Sequence, residues 1–203
     1  MIHKQAFLGY KEQKNKALEF ADYNYVLFLD ADEALDNNLE LSIQQAKVEF
    51  KYSGYTMNRC TNYCGKFIRH GSWYPDKKLR LFDKRLAGWV GDLVHERVDF
   101  ISPGNQSFHL KGDLLHYSYY NIEEHITRSK RYSNLSALEY FRKGRRTGWI
   151  KKLVNPAWTF ISGYILKLGF LDGKEGFQIA KISANATYLK YKKLGEMWKE
   201  NEK

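Results

Sequence analysis

The sequence predicts a mixed α/β fold followed by a helical C-terminal region. Residues 25–29 form a continuous apolar run of strand length, preceded and followed by segments with helical spacing of apolar residues, as expected for a strand buried on both faces of a sheet. After Gly54 the pattern changes to shorter strands separated by Gly, Pro, Asp and Asn. From residue 121 onward the apolar spacing is helical. We therefore expect an α/β part over residues 1–120 and a helical part over residues 121–203.

Local signals predict the individual elements. The first helix should cover residues 12–21, and Asp36 should cap a second helix that runs to about residue 50. Asn121 and Glu124 have the spacing of a capping box at the start of a long helix. The remaining predicted elements are strands at 55–63, 79–82, 97–101 and 110–117, and two further helices at 149–168 and 177–198, hinged at 169–173.

Composition narrows the class of protein. The formal net charge of +10 implies an anionic partner, which could be nucleic acid, a phosphate-bearing substrate or the inner leaflet of a membrane. The two cysteines, Cys60 and Cys64, support neither a disulfide framework nor a structural zinc site, and they favour a reducing cytoplasm. No run of about 18 apolar residues is present to suggest a spanning helix.

Asp30 and Asp32 carry the sharpest chemical signal. They form an Asp-x-Asp directly after the predicted buried strand, and open α/β sheets bind ligands at the carboxyl ends of their strands. Two carboxylates can share one hard divalent cation, Mg²⁺ or Mn²⁺, and leave positions open for phosphate oxygens. The alternative is a solvated acidic turn before the next helix.

A second group of candidates surrounds the segment 92–96. A carboxylate there, Glu96 first and Asp92 second, could take the proton that an attacking hydroxyl must lose. His95 fits a structural role better than a chemical one. His116, at the end of a predicted strand, is a candidate third metal ligand, although lone histidines are more often structural.

The segment 71–82 places aromatic and basic residues around a turn. Trp73 and Tyr74 could stack on a sugar ring, and Arg80 could hold a phosphate. A β-turn followed by a solvated charged strand would give the same pattern.

Together these motifs resemble the family 2 glycosyltransferases that add sugars to the lipopolysaccharide inner core. The resemblance covers roughly residues 9–194 and rests on five segments in this order: 9–15, 29–33, 71–82, 94–96 and 169–173. It implies a GT-A fold and an inverting transfer from a nucleotide-sugar donor, such as a UDP-hexose, to a glycolipid or lipopolysaccharide-core acceptor. It also implies that Asp30 and Asp32 bind the metal and diphosphate, that Lys14 and Asn15 approach the nucleotide, and that Glu96 is the catalytic carboxylate.

The resemblance also implies that the chain is truncated at its N-terminus. Such enzymes begin with a strand, a helix and a second strand that form much of the nucleoside pocket, and nothing before Gly9 corresponds to them. We therefore expect residues 25–29 to present an unpaired strand edge, and the chain to bind UDP with Mn²⁺ weakly or not at all.

The basic C-terminal helices suggest a location. Their lysines alternate with aromatic residues, which suits contact with an anionic membrane surface, while plain helix packing with a solvated basic side is the alternative. We expect a cytoplasmic protein, peripheral on the inner face of the cytoplasmic membrane, that does not bind nucleic acid. The competing interpretations are a metal-dependent phosphohydrolase or nuclease, a basic nucleic-acid-binding module and an inactive glycosyltransferase fragment. The lysines and aromatics in question are Lys151, Lys152, Lys167, Lys181, Lys190, Lys192 and Lys193, with Trp149, Trp158, Phe160 and Tyr164.

Overall fold

The computed structural model describes residues 4–91 and 96–201. The chain is a mixed α/β protein that divides into two compact units, the first formed by residues 1–59 and 76–116 and the second by residues 60–75 and 117–203. The helices are α1 (Tyr10–Glu19), α2 (Asn37–Val48), α3 (Ile122–Arg142), α4 (Trp149–Ile161) and α5 (Gly173–Asn201). The strands are β1 (Tyr25–Leu27), β2 (Glu33–Leu35), β3 (Gly54–Tyr63), β4 (Lys66–Phe67), β5 (Asp76–Asp83), β6 (Ala87–Val90), β7 (Arg97–Phe100) and β8 (Ser107–Tyr119).

The main sheet has the strand order β1-β5-β3-β8-β2, with β4 added to the end of β3. β1 pairs with β5, β5 with β3, and β2 with β8, all antiparallel. β1 and β2 therefore lie at opposite ends of this order, yet only residues 28–32 connect them in the chain. Because five extended residues reach about 17 Å at most, the sheet must curl so that β1 and β2 come close enough for this connection to join them.

Two apolar clusters stabilise the first unit. One lies between α2 and the main sheet and includes the fully buried Leu39, Met57 and Leu114. The other packs α1 and the β6–β7 hairpin against the sheet, around Phe82 and Trp89. Burial of such large side chains stabilises the unit by roughly 1.5–3 kcal/mol each.

The start of α2 is held tightly against β8. Asp36 caps the helix, since its Oδ1 accepts a hydrogen bond from the backbone N–H of Leu39 at 2.7 Å. Its Oδ2 accepts a second bond from the N–H of Asp113. Gly112 has a φ of +99°, and a Cβ at this position would lie 2.2 Å from the Leu39 nitrogen, so glycine is required here. The predicted cap is confirmed.

The second unit is built on three helices and an aromatic cluster. α5 packs against both α3 and α4. α3 begins as predicted, with Asn121 Oδ1 accepting from the N–H of Glu124 at 2.8 Å. The predicted helix over 149–168 becomes α4 followed by a π-helical turn over Ser162–Leu166, and the hinge becomes a 3₁₀ turn over Gly169–Asp172.

The prediction of a strand buried on both faces at residues 25–29 is wrong. β1 covers Tyr25–Leu27, all three residues are half-buried, and the strand lies at one edge of the sheet. The apolar run was misread because α1 and the β6–β7 hairpin cover this edge in part, through Val26 and Phe28. Strands β2, β4 and β6 were not predicted; they are two to four residues long, and a segment so short gives only a weak periodic pattern.

Within the described ranges, no helix combines the length and the apolarity needed to span a bilayer.

Candidate functional site

The connection between β1 and β2, together with the first residue of β2, contacts three other strands of the main sheet. The acidic residues of this segment meet basic partners on β5, β3 and β8: Asp30 contacts Arg80, Glu33 approaches Arg59, and Asp32 contacts His116. This acidic crossing, residues 30–33, is the centre of the candidate site. The backbone forms a turn there, with the N–H of Glu33 donating to the carbonyl of Asp30 at 3.0 Å.

Arg80 is buried at the centre of the crossing. Its Nη2 donates to Asp30 Oδ2 at 3.0 Å and to Glu33 Oε1 at 2.7 Å. The Arg80 side chain is 4% exposed and that of Glu33 is 0% exposed. Arg80 Nε is buried and has no hydrogen-bond partner among the described residues. A buried guanidinium fixed by two carboxylates keeps its charge and its direction.

Lys14 brings a second positive charge to the same carboxylate. Its Nζ lies 3.1 Å from Asp30 Oδ1 and 4.0 Å from the centroid of the Trp89 ring. Burial alone would raise the pKa of Asp30, but the charges of Arg80 and Lys14 outweigh it and hold that pKa below its usual value. Asp30 is therefore ionised at neutral pH.

Asn15 fixes the position of Trp89, whose ring lies near Lys14 and Arg80. Its Nδ2 donates to the carbonyl of Trp89, and its Oδ1 accepts from the N–H of Trp89, both at 2.9 Å. The side chain thus pairs with β6 as a neighbouring strand would, and it fixes the Trp89 ring near Lys14 and near Arg80 at 5.2 Å. Asn15 was predicted to approach the nucleotide; in the structure its amide holds Trp89.

Asp32 and His116 form the second half of the crossing. Asp32 Oδ2 lies 3.3 Å from His116 Nε2. Burial and the nearby charge of Arg59 lower the pKa of His116, against the opposing effect of the carboxylates of Asp32, Glu33 and Asp30. The imidazole is therefore neutral at pH 7 and has a lone pair to offer. Its Nδ1 is buried and has no hydrogen-bond partner in the part of the chain that the structure describes.

The predicted metal ligands Asp30, Asp32 and His116 do not share one set of contacts. Asp30 faces the two cations Lys14 and Arg80, whereas Asp32 and His116 face each other. Across residues 4–91 and 96–201, no three His, Cys, Asp or Glu side chains converge as a metal site made of protein groups alone would require. A Mg²⁺ or Mn²⁺ ion bound with a diphosphate needs fewer protein groups, since it takes one or two carboxylates and completes its shell with phosphate oxygens and water. The half-exposed Asp32, with His116 beside it, fits that second arrangement.

The ion-pair network extends beyond the predicted residues. Arg59 lies 3.9 Å from Glu33 and binds Asp76, with its Nη2 2.8 Å from Oδ2. Lys78 contacts the other oxygen of Asp76 at 2.8 Å. Sequence analysis missed Glu33, Arg59, Asp76 and Trp89 as site residues. The signal that could have found two of them is strand register, because Arg59 and Asp76 are partners on β3 and β5.

The first candidate general base, Glu96, lies at the β6–β7 hairpin. Glu96 is half-buried and directly precedes β7, in the same hairpin whose β6 strand carries Trp89. Asp92 and His95 lie outside the described residues.

The predicted sugar-stacking residues belong to the second unit. Trp73 stacks on Tyr119, with ring centroids 5.2 Å apart, and meets His125 edge-on at 5.0 Å. These three rings line one end of a cavity of about 320 Å³, whose other walls carry hydroxyl groups and one lysine: Ser129, Tyr132, Ser133, Ser136, Thr159, Ser183, Thr187 and Lys190. Tyr74 is half-buried next to Trp73 and does not line it. Aromatic faces combined with hydroxyl groups suit a sugar, whose C–H face is apolar and whose edge is polar.

Comparison with known proteins identifies related chains. No protein-family model matches the chain. The chain is 28% identical over 204 residues to an uncharacterized glycosyltransferase of Rickettsia conorii, with 94% of this chain and 71% of the relative covered. It is 26% identical over 205 residues to one of Rickettsia bellii, covering 94% of this chain and 68% of the relative. It is 27% identical over 192 residues to the lipopolysaccharide core biosynthesis glycosyltransferase LpsC of Rhizobium meliloti, covering 90% and 70%. These similarities support a glycosyltransferase family for this chain.

Proposed function

We propose that the protein is an inverting family 2 glycosyltransferase with a GT-A-like fold, which transfers a sugar from a nucleotide-sugar donor to a lipopolysaccharide-core or related glycan acceptor. The acidic crossing carries this proposal. It combines, in one place, a half-exposed carboxylate beside a neutral imidazole and two cations held by buried or aromatic partners. A nucleoside diphosphate needs that combination, because its oxygens bind both metal ions and basic side chains.

Asp32 and His116 are the residues that would hold a Mg²⁺ or Mn²⁺ ion, with Asp30 two residues before Asp32 in the chain. A divalent ion bound there would offset the negative charge that develops on the departing diphosphate. Arg80 and Lys14 would supply further positive charge at Asp30. Arg80 also donates to Glu33. This bond would keep the guanidinium in place if Asp30 contacted another group.

Glu96 is proposed as the general base. The acceptor hydroxyl attacks the anomeric carbon of the donor sugar and loses its proton to the Glu96 carboxylate, while the bond to the diphosphate oxygen breaks. The position of Glu96 directly before β7, in the hairpin that carries Trp89 under Lys14, supports this role.

The Trp73 cavity is proposed as an acceptor site in the second unit. Its volume of about 320 Å³ lies at the lower end of the range of small-molecule sites. Its lining of stacked rings and hydroxyl groups supports a saccharide over a purely apolar ligand. The proposal that the acceptor belongs to the lipopolysaccharide core is supported by the similarity to a relative of that name.

Asp32→Asn tests the proposed function. Calorimetry with UDP and Mn²⁺, at nucleotide concentrations high enough for weak binding, should show an affinity at least about tenfold lower in the variant, because one metal-binding carboxylate is lost. Asp99→Asn is the matched control. The side chains of Asp99 and Asp32 are 49% and 47% exposed, each has one basic side chain as an ion-pair partner, and both lie in the first unit.

Transfer of sugar supplies the second measurement. The chain is incubated with UDP-hexoses, Mn²⁺ and a truncated lipopolysaccharide core, and the product is detected by mass spectrometry. Transfer that disappears in Asp32→Asn and Glu96→Gln but persists in Asp99→Asn is the expected result. UDP binding that is unchanged by Asp32→Asn, or independent of Mn²⁺, would refute the metal site. A chain that neither binds UDP nor transfers sugar would be the inactive fragment considered above.

A further inference from the structure

We propose that the outward face of α4 docks on an anionic lipid bilayer. The starting observation is the orientation of this helix. None of the described residues of α4, Trp149–Ile161, is buried, although it is the most apolar of the long helices. Its apolar side chains recur at i, i+3, i+4, i+7 and i+8, which is the spacing of one helical face. That face, here named the α4 stripe, is exposed and continues into the π-helical turn after α4. It consists of Ile150, Leu153, Val154, Trp158, Ile161 and Ile165.

The opposite side of α4 makes the contacts with the rest of its unit. α4 packs along α5, and on this side the hydroxyl of Thr159 lies 3.3 Å from that of Thr187. Phe160 contacts Phe177 edge-on. A surface helix of a globular protein normally turns its apolar face inward and its polar face to water. α4 does the reverse, because its inward side is mixed and its stripe faces out.

The size of the stripe is that of a binding surface. From Ile150 to Ile165 it extends about 22 Å along the helix axis at 1.5 Å per residue. Leu166, Leu168 and Phe170, which follow it in the chain, are exposed as well. Contiguous apolar patches larger than a few hundred Å² are rare on monomeric proteins and mark sites of contact with proteins or membranes.

The charge of the segment around α4 indicates what the stripe binds. Between Glu139 and Asp172 the chain has no acidic residue and seven basic ones: Arg142, Lys143, Arg145, Arg146, Lys151, Lys152 and Lys167. Each basic group near an anionic membrane surface adds to the attraction. A second copy of the chain is a poorer occupant, because a two-fold symmetric contact through α4 would bring this cationic region against itself.

The geometry therefore assigns α4 the role of an interfacial helix, which lies in the plane of the bilayer surface with Trp158 and the branched residues among the acyl chains. A groove of about 500 Å³ beside it, lined almost entirely by apolar groups and flanked by Lys152 and Lys181, extends the same surface. The biological purpose of this docking rests on the proposed function, because a lipid-linked acceptor would be bound at such a membrane surface. It does not depend on donor binding or turnover.

Vesicle flotation of the full chain tests the proposal. The chain should float with vesicles of phosphatidylcholine mixed with phosphatidylglycerol, and much less with phosphatidylcholine alone. Leu153→Glu and Trp158→Glu should each weaken binding by about tenfold or more, since one large apolar side chain can no longer be buried. Leu153 and Trp158 are 62% and 59% exposed, so both variants should fold. Circular dichroism and the unfolding midpoint check this.

Val48→Glu is the control for adding a negative charge at an exposed apolar position, because Val48 is 88% exposed on α2 in the first unit. It should bind vesicles like the unchanged chain. Lys151→Gln combined with Lys167→Gln should reduce the preference for anionic vesicles and leave residual apolar binding. Equal binding to both vesicle types would overturn the proposal. So would equal effects of Val48→Glu and Leu153→Glu, or a dimer that forms without lipid and dissociates in Leu153→Glu. Sugar transfer to a water-soluble acceptor should survive Leu153→Glu, so failure of this proposal and failure of the proposed function are distinguishable.

Discussion

Replacing Arg80 with methionine should destabilise the first unit strongly, and replacing Glu33 at the same time should restore much of the loss. The Arg80 and Glu33 side chains are almost completely buried and 2.7 Å apart. Methionine keeps most of the volume of the arginine stem but removes the charge. Glu33 then remains buried with Arg59 at 3.9 Å as its nearest described cation and the N–H of Asp30 as a hydrogen-bond donor.

The expected cost follows from the burial of an unpaired charge. Breaking a buried ion pair by removing one partner costs about 3–5 kcal/mol, whereas replacing both partners by apolar residues of similar size is often neutral or stabilising. Arg59 still lies near Glu33, and Asp30 is partly exposed to water, so both carboxylates remain partly stabilised after Arg80 is replaced. We therefore expect a loss of about 3 kcal/mol for Arg80→Met, near the lower end of that range. The double variant with Glu33→Met should lose about 1 kcal/mol or less.

Urea unfolding followed by circular dichroism measures these changes, and Arg97→Met is the matched control. Arg97 contacts Asp99 at 3.0 Å, but its side chain is 62% exposed, so its removal should cost below about 1 kcal/mol. The reasoning is refuted if Arg80→Met costs no more than Arg97→Met. It is also refuted if the two single losses simply add in the double variant. UDP binding should be lost in the double variant even where stability returns, which separates the structural from the functional role of Arg80.

Two further predictions concern His125 and Gly112. Burial lowers the pKa of His125 from 6.5 to about 4, and its Nδ1 lies 3.1 Å from the Tyr63 hydroxyl; the folded state keeps the ring neutral while the unfolded chain takes up a proton. The free energy of unfolding is therefore not reduced by this group above pH 6.5. It falls by about 3 kcal/mol as the pH is lowered from 6.5 to 4. His125→Phe should flatten the urea-unfolding free energy over that pH range, and an unchanged slope would contradict the assignment. Gly112→Ala should destabilise the chain by about 3 kcal/mol, because its Cβ would meet the Leu39 nitrogen at 2.2 Å; thermal unfolding measures this, with the open Gly104 changed to alanine as the control, and equal midpoints would count against it.

Several elements could be predicted because their signals are local. The caps at Asp36 and Asn121 depend on a side chain reaching an amide three residues on, and both bonds are present. The strands at 55–63 and 110–117 and the three C-terminal helices have enough residues for a periodic pattern. Short strands give only a weak pattern, and β2, β4 and β6 were missed.

The candidate site could be predicted only in part. Asp30, Asp32, Arg80 and His116 were chosen by residue type and position, and Lys14 was chosen from the family resemblance. The structure brings these residues together in two groups. Glu33 was not chosen, although it is the most deeply buried carboxylate of the crossing. Nothing local distinguishes Glu33 from a solvated acid; its role exists only because the crossing passes over β5 and β3.

The sequence by itself determined the residue types at the strand end, the helix caps, the excess of positive charge and the apolar spacing of α4. The tertiary structure decided how these are used. The curl of the sheet paired Asp30 with Arg80 and Asp32 with His116. Packing against α5 then left the apolar side of α4 facing outward. The physical reason is that periodicity fixes which side chains share a face, whereas contacts between distant segments fix what that face meets.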